Sequence, residues 1–268
     1  MSIQKTEQEL IDHKECSIDK LNTFIDSLIH NDSIYDSSKA DKLCYWIEDW
    51  IKFLDYEPNF NPSSLRRYKR GEIIKLHLGF NIGSEEGGLH YAVVLDKNNS
   101  VNNPVLTVVP LTSVKPGKDT NNLHNGELFL GNDLFTSMNA KVTSHSNFIK
   151  MTCENLKSEQ ATLHELLHKE NLLSDQEFTN RINYISAKIA EQKDALVLVN
   201  KMKKEISKMK SGSIALVSQI TTVSKLRIYD PKHRNDVLTG IKLSNEKLDL
   251  IDAELLKLYT NVKTADDQ

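Results

Sequence analysis

Two short segments of the chain combine apolar, strand-like runs with side chains that could act on a phosphate. In the first, a glycine-rich loop at 83–88 leads into an apolar run, with His90 near its start. In the second, an apolar run ends at Thr112, Ser113 and Lys115. An imidazole can move protons near neutral pH, while hydroxyl and ammonium groups can stabilise a phosphate and its developing charge. RNA cleavage would need little more, because the substrate supplies the ribose 2′-hydroxyl as nucleophile and no metal is required.

The same residues also have a purely structural interpretation. His90 could cap a strand, and Thr112 with Ser113 could begin a turn. Gly87 and Gly88 could permit the close approach of another backbone rather than form a flexible loop over a ligand. For isolated residues of these types the structural interpretation is the commoner one, and their periodicity does not decide against it.

A second motif, His164-Glu165-Leu166-Leu167-His168, matches the HExxH pattern of zinc peptidases. On a helix the two histidines would share one face, and Glu165 could polarise a metal-bound water. Glu191 or Glu177 could supply a third ligand. The leucines are needed for packing, however, and the edge strand of a zinc-peptidase domain is not visible around the motif. We therefore expect neither a metal nor another cofactor, and keep a zinc metallopeptidase as an alternative.

Composition bounds the class of protein. The chain has 268 residues, of which 39% are hydrophobic and 26% are charged, as is usual for a soluble globular protein. No apolar run approaches the roughly 20 residues that span a bilayer, and the first residues lack the apolar core of a secretory signal. Cys16, Cys44 and Cys153 lie far apart, which suits reduced thiols. We therefore expect a cytoplasmic protein that does not engage a membrane.

The net charge of −3 argues against a protein that coats nucleic acid, since such proteins are usually basic overall. Any binding to nucleic acid must then depend on a local patch. The candidate is Arg66-Arg67-Tyr68-Lys69-Arg70, just before the first predicted strand. A solvated linker with ordinary basic residues is the alternative interpretation.

Helices are predicted at the start of the chain and strands after them. Apolar residues recur at spacings of three, four and seven through 3–56, which predicts two helices separated near 31–33. A loop with two prolines at 57–64 is the clearest domain boundary. From Gly71 the period changes to two, which is typical of a half-buried strand. Further candidate strands follow at 92–95, 105–109, 128–130 and 148–151. Such a succession predicts a small antiparallel barrel or rolled sheet.

A helical pattern returns at 155–210 and divides the strand region. Ser174 and Glu177 form a capping pattern, and the apolar seam after them predicts a long helix in a hairpin or short coiled coil. A strand pattern follows Gly212, and Ser244 is the predicted cap of a last helix.

Several segments, in order along the chain, resemble the PemK/MazF family of toxin endoribonucleases. They are Arg70-Gly71-Glu72-Ile73-Ile74, then Gly83-Ser84-Glu85 with Gly88 and Ala92-Val93-Val94-Leu95, then Val109-Pro110-Leu111-Thr112-Ser113, and then Ser213-Ile214-Ala215-Leu216-Val217-Ser218-Gln219-Ile220-Thr221-Thr222. The closing helix around 243–248 is also similar to the end of the family. The resemblance covers residues 66–120 and 210–260.

The resemblance implies an α+β fold with a small SH3-like antiparallel β-barrel core, N-terminal helices and an inserted long helical hairpin or coiled coil. In these terms the chain divides into an N-terminal helical region, a first part of the barrel, a helical insertion, and the last strands with the C-terminal helix. The expected bounds of these four parts are 1–60, 66–150, 151–210 and 211–262.

The resemblance also implies a toxin-like endoribonuclease that cleaves single-stranded RNA without a metal, leaving a 2′,3′-cyclic phosphate and a 5′-hydroxyl. His90 would be the general acid or base, and Thr112 with Ser113 would position and stabilise the scissile phosphate. The family usually has an arginine at the position of His90 and often one at that of Thr222. Lys115 could supply the charge that a histidine lacks. The remaining predicted RNA contacts are Ser84, Glu85, Gly87, Gly88, Gln219 and Arg70.

Family members commonly form homodimers and are inhibited by an antitoxin. We therefore expect a homodimer and an antitoxin partner, either protein or RNA, in addition to the RNA substrate. A non-catalytic module that binds nucleic acid or protein is a third hypothesis, and the replacement of the family arginine by His90 favours it.

Overall fold

The computed structural model describes residues 5–31, 33–168, 174–209 and 212–261, with only the backbone of Leu167 and His168. Within these residues the chain divides into two compact units. The first combines Met1–Phe60 with Leu78–Gly88, and the second combines Asn61–His77 with Leu89–Gln268.

The first unit consists of two helices and a loop. α1 spans Glu7–Ile29 and α2 spans Ile34–Tyr56, as the apolar spacing predicts. Thr6 caps α1 in a reciprocal capping box with Glu9, so two backbone N–H groups at the start of the helix are satisfied. The two helices pack against each other. Their buried side chains are Leu28, Ala40 and Leu43.

The second unit is built on a seven-stranded antiparallel sheet. Its strands are β1 (Ile73–His77), β2 (Leu89–Val94), β3 (Val105–Ser113), β4 (Glu127–Gly131), β5 (Ser213–Leu216), β6 (Thr221–Ser224) and β7 (Ile228–Asp230). Their order is β4-β5-β3-β2-β1-β7, and β6 pairs with the start of β3 while β5 pairs with its end. Through the described residues β4 and β7 pair with no further strand, so this sheet is open. The predicted antiparallel sheet is confirmed, and its closure into an SH3-like barrel stays a prediction.

Three helices complete the second unit: α3 (Asp133–His168), α4 (Asp175–Ile206) and α5 (Asn245–Tyr259). The predicted caps Ser174 and Ser244 are confirmed, and Ser174 forms the expected capping box. α3 and α4 pack together as a hairpin. An ion pair between Glu159 and Arg181, with 3.6 Å between Oε2 and Nη1, joins the end of α3 to the start of α4, so the two helices are antiparallel.

Two predictions about these elements are wrong, and two strands were missed. The candidate strand at 148–151 lies inside α3, which begins at Asp133 rather than near 155. A short apolar run fits a buried strand or one turn of a helix equally well, so periodicity could not separate the two. The strands β6 and β7 were not predicted, because each is only three or four residues long.

Both faces of the sheet are buried. On one face, sheet residues pack against the first turns of α3 and against α5. The fully buried members of this cluster are Ile73, Val93, Val109, Met138, Ala215, Val217 and Ile251. The opposite face contains equally inaccessible side chains. They include Ile74, Leu76, Ala92, Val94, Leu106, Val108 and Ile214. Burial on both faces holds the strands rigidly, which is what a site at their ends requires.

Among the described helices, none is both long enough and apolar enough to cross a membrane.

Candidate functional site

Pairing between β2 and β3 places His90 and Thr112 side by side. Tyr91 lies opposite Leu111 in the register of the two strands, and continuing that register by one residue places His90 opposite Thr112. Directly opposed residues in an antiparallel pair project from the same face. The imidazole and the threonine hydroxyl therefore share one face at this end of the sheet.

The backbone fixes the tautomer of His90. Its ring is half-buried, and Nδ1 lies 3.3 Å from the carbonyl oxygen of Leu111. A carbonyl oxygen can only accept, so Nδ1 donates and carries the proton. In the neutral imidazole Nε2 is then the basic nitrogen, which is the form that a general base requires.

Ser113 is exposed and projects from the other face of the sheet. Thr112 lies opposite Ile214 of β5, and Ser113 lies opposite Ser213. Successive residues of a strand point to opposite faces, so the Ser113 side chain points away from the face that carries His90. The structure thus brings together His90 and Thr112, and separates Ser113 from them by the thickness of the sheet.

A small cavity of about 50 Å³ lies at this end of β3. Its lining includes Tyr91, Thr112, Ser113 and Lys208. The space suits one or two water molecules, which occupy about 30 Å³ each in the liquid. It is too small for a nucleotide, so a substrate would have to lie over it rather than inside it.

A much larger cavity, of about 480 Å³, lies between the end of α4 and strands β1 and β7. We call it the lysine cleft. Lys208 lines both this cleft and the small cavity beside Thr112. The other polar residues that line it are Lys75, Lys201, Lys204, Glu205, Tyr229, Asp230, Lys232, His233 and Asp236.

Glu205 ties α4 to the sheet at the floor of the lysine cleft. Its carboxylate forms an ion pair with Lys75 of β1 and accepts a hydrogen bond of 2.6 Å from the Tyr91 hydroxyl. Burial alone would raise the pKa of Glu205, but the hydrogen bonds from Lys75 and Tyr91 and the charge of Lys75 together lower it. Burial, followed by the hydrogen bond to Glu205, raises the pKa of Tyr91. Glu205 is therefore ionised and Tyr91 is neutral at physiological pH.

A second buried polar cluster shapes the loop after β7. Lys141 of α3 donates to the backbone oxygens of Asp236, Val237 and Thr239 at 3.1, 2.8 and 2.8 Å. Burial lowers the pKa of Lys141 to about 8. Asp230 accepts from the N–H groups of Leu238 and Val237, and burial raises its pKa. These contacts fix the backbone of the loop that forms one wall of the lysine cleft.

The predicted RNA-binding loop belongs to the first unit. Gly88 donates from its N–H to the Gly79 oxygen at 2.7 Å, and a Cβ at Gly87 would lie 2.9 Å from that same oxygen. Glu85 accepts a hydrogen bond of 3.4 Å from the N–H of Ile82 within the loop. Gly87 therefore permits a close approach between backbones, which is the structural interpretation of this motif, whereas Gly88 adopts a positive φ of 81° and a Cβ there would contact nothing within 4 Å. The predicted RNA contacts Ser84, Glu85, Gly87 and Gly88 all lie on this loop.

The other predicted RNA contacts lie in the second unit. Lys115 is exposed in the loop that follows β3, and Gln219 is half-buried in the turn between β5 and β6. Arg70 forms an ion pair with Asp252 of α5 and donates to the Leu95 oxygen. Its guanidinium therefore links the residue after β2 to α5 through polar contacts, and its contact with RNA stays a prediction.

Most of the basic patch before β1 is part of the packed structure. Arg66 forms a two-point ion pair with Glu72, with nitrogen-to-oxygen distances of 3.0 and 2.8 Å. Tyr68 is 1% exposed, and its hydroxyl donates to the Pro231 oxygen at 2.7 Å. Arg66 and Tyr68 are therefore packed into the fold, whereas the side chains of a solvated linker would be exposed.

The HExxH motif lies near the end of α3. His164 and Glu165 are exposed, whereas the side chain of His168 lies outside the described residues. Glu177 is engaged in the capping box of α4, and Glu191 pairs with Lys188 at 2.7 Å. Over the described residues there is no group of three or more metal-binding side chains.

The lysine cleft is the feature that sequence reasoning missed. Three of its cations, Lys201, Lys204 and Lys208, recur at spacings of three and four, the first two on α4 and Lys208 just beyond its end at Ile206. That spacing was visible in the sequence, but the apolar seam of the same helix was the only periodicity interpreted. The contributions of Lys75 and Tyr229 depend on strand pairing and could not be found in this way.

Comparison with known proteins connects this geometry to a family. A search of curated proteins finds no match to the chain. Residues 69–135 match the family model of the PemK-like, MazF-like toxins of type II toxin–antitoxin systems. The matched segment contains β1 to β4, with His90 and Thr112, and extends into the first turn of α3. Residues 69–135 are therefore similar to the PemK-like, MazF-like toxins, as the sequence resemblance predicts.

Proposed function

We propose that the protein is a toxin endoribonuclease that cleaves single-stranded RNA without a metal ion. One observation carries the proposal: the segment that matches the toxin family contains the two strands on which His90 and Thr112 share a face. A base and a hydroxyl donor in adjacent positions are what attack by a ribose 2′-hydroxyl requires.

In the proposed reaction Nε2 of His90 accepts the proton of the 2′-hydroxyl. The 2′-oxygen then forms a bond to phosphorus, and the bond from phosphorus to the 5′-oxygen breaks. The leaving 5′-oxygen takes a proton from the imidazolium or from water. The products are a 2′,3′-cyclic phosphate and a 5′-hydroxyl.

The negative charge that develops on the phosphate needs stabilisation. The Thr112 hydroxyl donates to a non-bridging oxygen, and the exposed Lys115 supplies the positive charge that the family arginine would otherwise provide. Ser113 would act from the other side of the strand, by holding the phosphate of the neighbouring nucleotide. The loop residues Ser84, Glu85, Gly87 and Gly88 would bind the RNA backbone, together with Gln219 and Arg70.

The family resemblance supports the remaining parts of the proposal. The open sheet would correspond to the SH3-like barrel of the family, and the protein would form a homodimer that an antitoxin inhibits in the cytoplasm. The helical hairpin and the two N-terminal helices are additions to that core, and the hairpin carries one wall of the lysine cleft.

The test is RNA cleavage in an excess of chelator by the wild type and by His90→Ala. We expect cleavage to persist in chelator and to fall by a factor of about 10² to 10⁴ in the variant, as for loss of a general base. His164→Ala is the matched control, since it removes an exposed histidine of the HExxH motif and should leave RNA cleavage unchanged.

The outcomes separate the alternatives. If chelator abolishes RNA cleavage, zinc restores it and His164→Ala is inactive, the metal-independent mechanism is wrong and a zinc site at the HExxH motif is supported. If RNA binds but is not cut under any condition, the protein is a non-catalytic binding module.

A further inference from the structure

The lysine cleft carries an excess of positive charge that the fold does not use. Five lysines line it, namely Lys75, Lys201, Lys204, Lys208 and Lys232. Among the described residues, Lys75 is the one of the five that forms an ion pair, and its partner is Glu205. The ammonium groups of the other four are on exposed side chains and make no hydrogen bond or ion pair with any described residue.

The acidic residues of the cleft are already engaged. Asp230 accepts from two backbone N–H groups, and Asp236 accepts from the N–H groups of Lys232 and His233 at 2.7 Å each. Glu205 is occupied by Lys75 and Tyr91. The charge of Lys208 also lowers the pKa of Glu205, but that carboxylate is bonded to Lys75 and Tyr91, so the cleft still presents more cations than carboxylates to a ligand.

An aromatic ring accompanies these cations. Tyr229 lies on the edge strand β7, lines the cleft and is 65% exposed. The Lys75 ammonium lies 5.9 Å from the centre of its ring, which orients the ring beside the basic floor. An exposed aromatic ring next to a row of cations is the usual combination for binding a single strand, with bases stacked on the ring and phosphates on the cations.

The cleft reaches the proposed catalytic end of the sheet from the face that carries Ser113, because Tyr91, whose hydroxyl contacts Glu205 at the cleft floor, projects from the face opposite His90. Lys208 lines both the cleft and the small cavity next to Thr112 and Ser113. The row spans about 10 Å from Lys201 to Lys208, since α4 rises about 1.5 Å per residue to Ile206 and a hydrogen bond from the Lys208 N–H to the Glu205 oxygen closes the turn after it. This length exceeds one phosphate group, so the row suits a backbone of repeating charges rather than a single small anion.

We propose that the lysine cleft binds the single-stranded RNA that flanks the cleaved phosphate. Lys204 and Lys208 hold consecutive backbone phosphates, and Tyr229 stacks on a base. The identity of the ligand as RNA rests on the proposed function, whereas the binding surface rests on the cleft itself. The helical hairpin would then extend the RNA site beyond the segment that matches the toxin family.

The experiment measures binding of a fluorescent single-stranded oligoribonucleotide whose 2′-hydroxyls are methylated, so that it cannot be cut. Lys204→Gln/Lys208→Gln is compared with Lys193→Gln/Lys203→Gln, which removes two exposed lysines of α4 that do not line the cleft. For single strands each phosphate contact contributes about 0.7 to the slope of log K against log salt. Losing two contacts should lower the slope by about 1.4 and weaken binding about 25-fold at 0.1 M salt, since each contact is worth about fivefold there. The control pair should bind like the wild type.

A second variant addresses the ring. Tyr229→Leu should weaken binding by about fivefold or more without changing the salt slope, because stacking involves no release of counterions. Tyr184→Leu, at a similarly exposed tyrosine of α4 outside the cleft, is its control.

The results keep this inference distinct from the proposed function. If the wild type cleaves RNA but the two double variants bind the probe equally well, the assignment of the cleft is overturned, whereas the proposed nuclease function is not. If the cleft variants lose affinity as expected but no RNA is ever cut, the nuclease fails and the cleft assignment holds. Lack of RNA binding, or binding of polyglutamate instead with the same dependence on Lys204 and Lys208, would overturn the assignment.

Discussion

Replacing Glu205 with glutamine tests how α4 is held to the sheet. The carboxylate of Glu205 pairs with Lys75, and the two side chains are only 17% and 15% exposed. It also accepts a hydrogen bond of 2.6 Å from Tyr91. Glutamine preserves the size of the side chain and one acceptor oxygen, so the substitution removes the charge and leaves the packing intact.

The expected loss follows from the burial of this cluster. Removing one partner of a buried ion pair costs about 3–5 kcal/mol, because the other charge is left in a desolvated place. Two features reduce that figure here. The amide oxygen can still accept from Tyr91, and the Lys75 ammonium stays 5.3 Å from the centre of the Tyr91 ring. With partial exposure included, we expect the free energy of unfolding to fall by about 2 kcal/mol at pH 7.

The pH dependence has a definite sign. Despite burial, which acts in the opposite direction, hydrogen bonds from Lys75 and Tyr91 lower the pKa of Glu205 below its ordinary value of 4.5. An acid with a lowered pKa in the folded state stabilises the fold fully above its unfolded pKa, and that contribution is lost as the pH falls through the folded pKa. The difference in free energy of unfolding between the wild type and Glu205→Gln should therefore be largest at pH 7 and should decrease as the pH falls below 4.5.

Urea unfolding of both proteins at pH 7 and near pH 3.5 measures this difference in free energy of unfolding. Glu154→Gln is the control, because Glu154 is exposed on α3, and its stability should match that of the wild type at both pH values. Equal stability of the wild type and Glu205→Gln at pH 7, or a gap that does not change with pH, would refute the role assigned to the ionised carboxylate.

Three further predictions concern the site and its supports. Thr112→Val keeps the shape of the side chain but removes its hydroxyl, so RNA cleavage should fall by a factor of about 10² to 10³ while oligonucleotide binding is unchanged; equal cleavage rates would remove Thr112 from the mechanism. Gly87→Ala would place a Cβ 2.9 Å from the Gly79 oxygen, so the loop should be destabilised by about 1–3 kcal/mol, seen as faster amide exchange at 78–88. Lys141→Met leaves three backbone carbonyls without their shared donor and should lower the free energy of unfolding by about 2–3 kcal/mol in urea titrations, and an unchanged midpoint would contradict that role.

Local rules predicted the elements whose signals are contained in adjacent residues. Ser174 and Glu177 form the capping box expected from their spacing, and the seam that follows is α4. The strand expected after Gly71 is β1. These succeed because a cap or an apolar period is specified within a few turns of the chain.

The failures involve elements whose conformation depends on distant partners. The apolar residues from Phe148 to Met151 are compatible with strand or helix, and they are helical because α3 packs along α4. β6 and β7 are too short to show a period, and they exist because β3 and β1 offer free backbone groups to pair with.

By itself the sequence determined the helices, most of the strands and the toxin-family resemblance, and with it the choice of His90 and Thr112. Only the tertiary structure decided that these two residues share a face while Ser113 does not, because facing depends on the register between β2 and β3. It also decided that Gly87 permits a close backbone approach to the Gly79 oxygen, which accepts from the Gly88 N–H. The lysine cleft is the clearest case, since residues from β1, α4 and β7 become neighbours only when the sheet is formed and the helix packs on it.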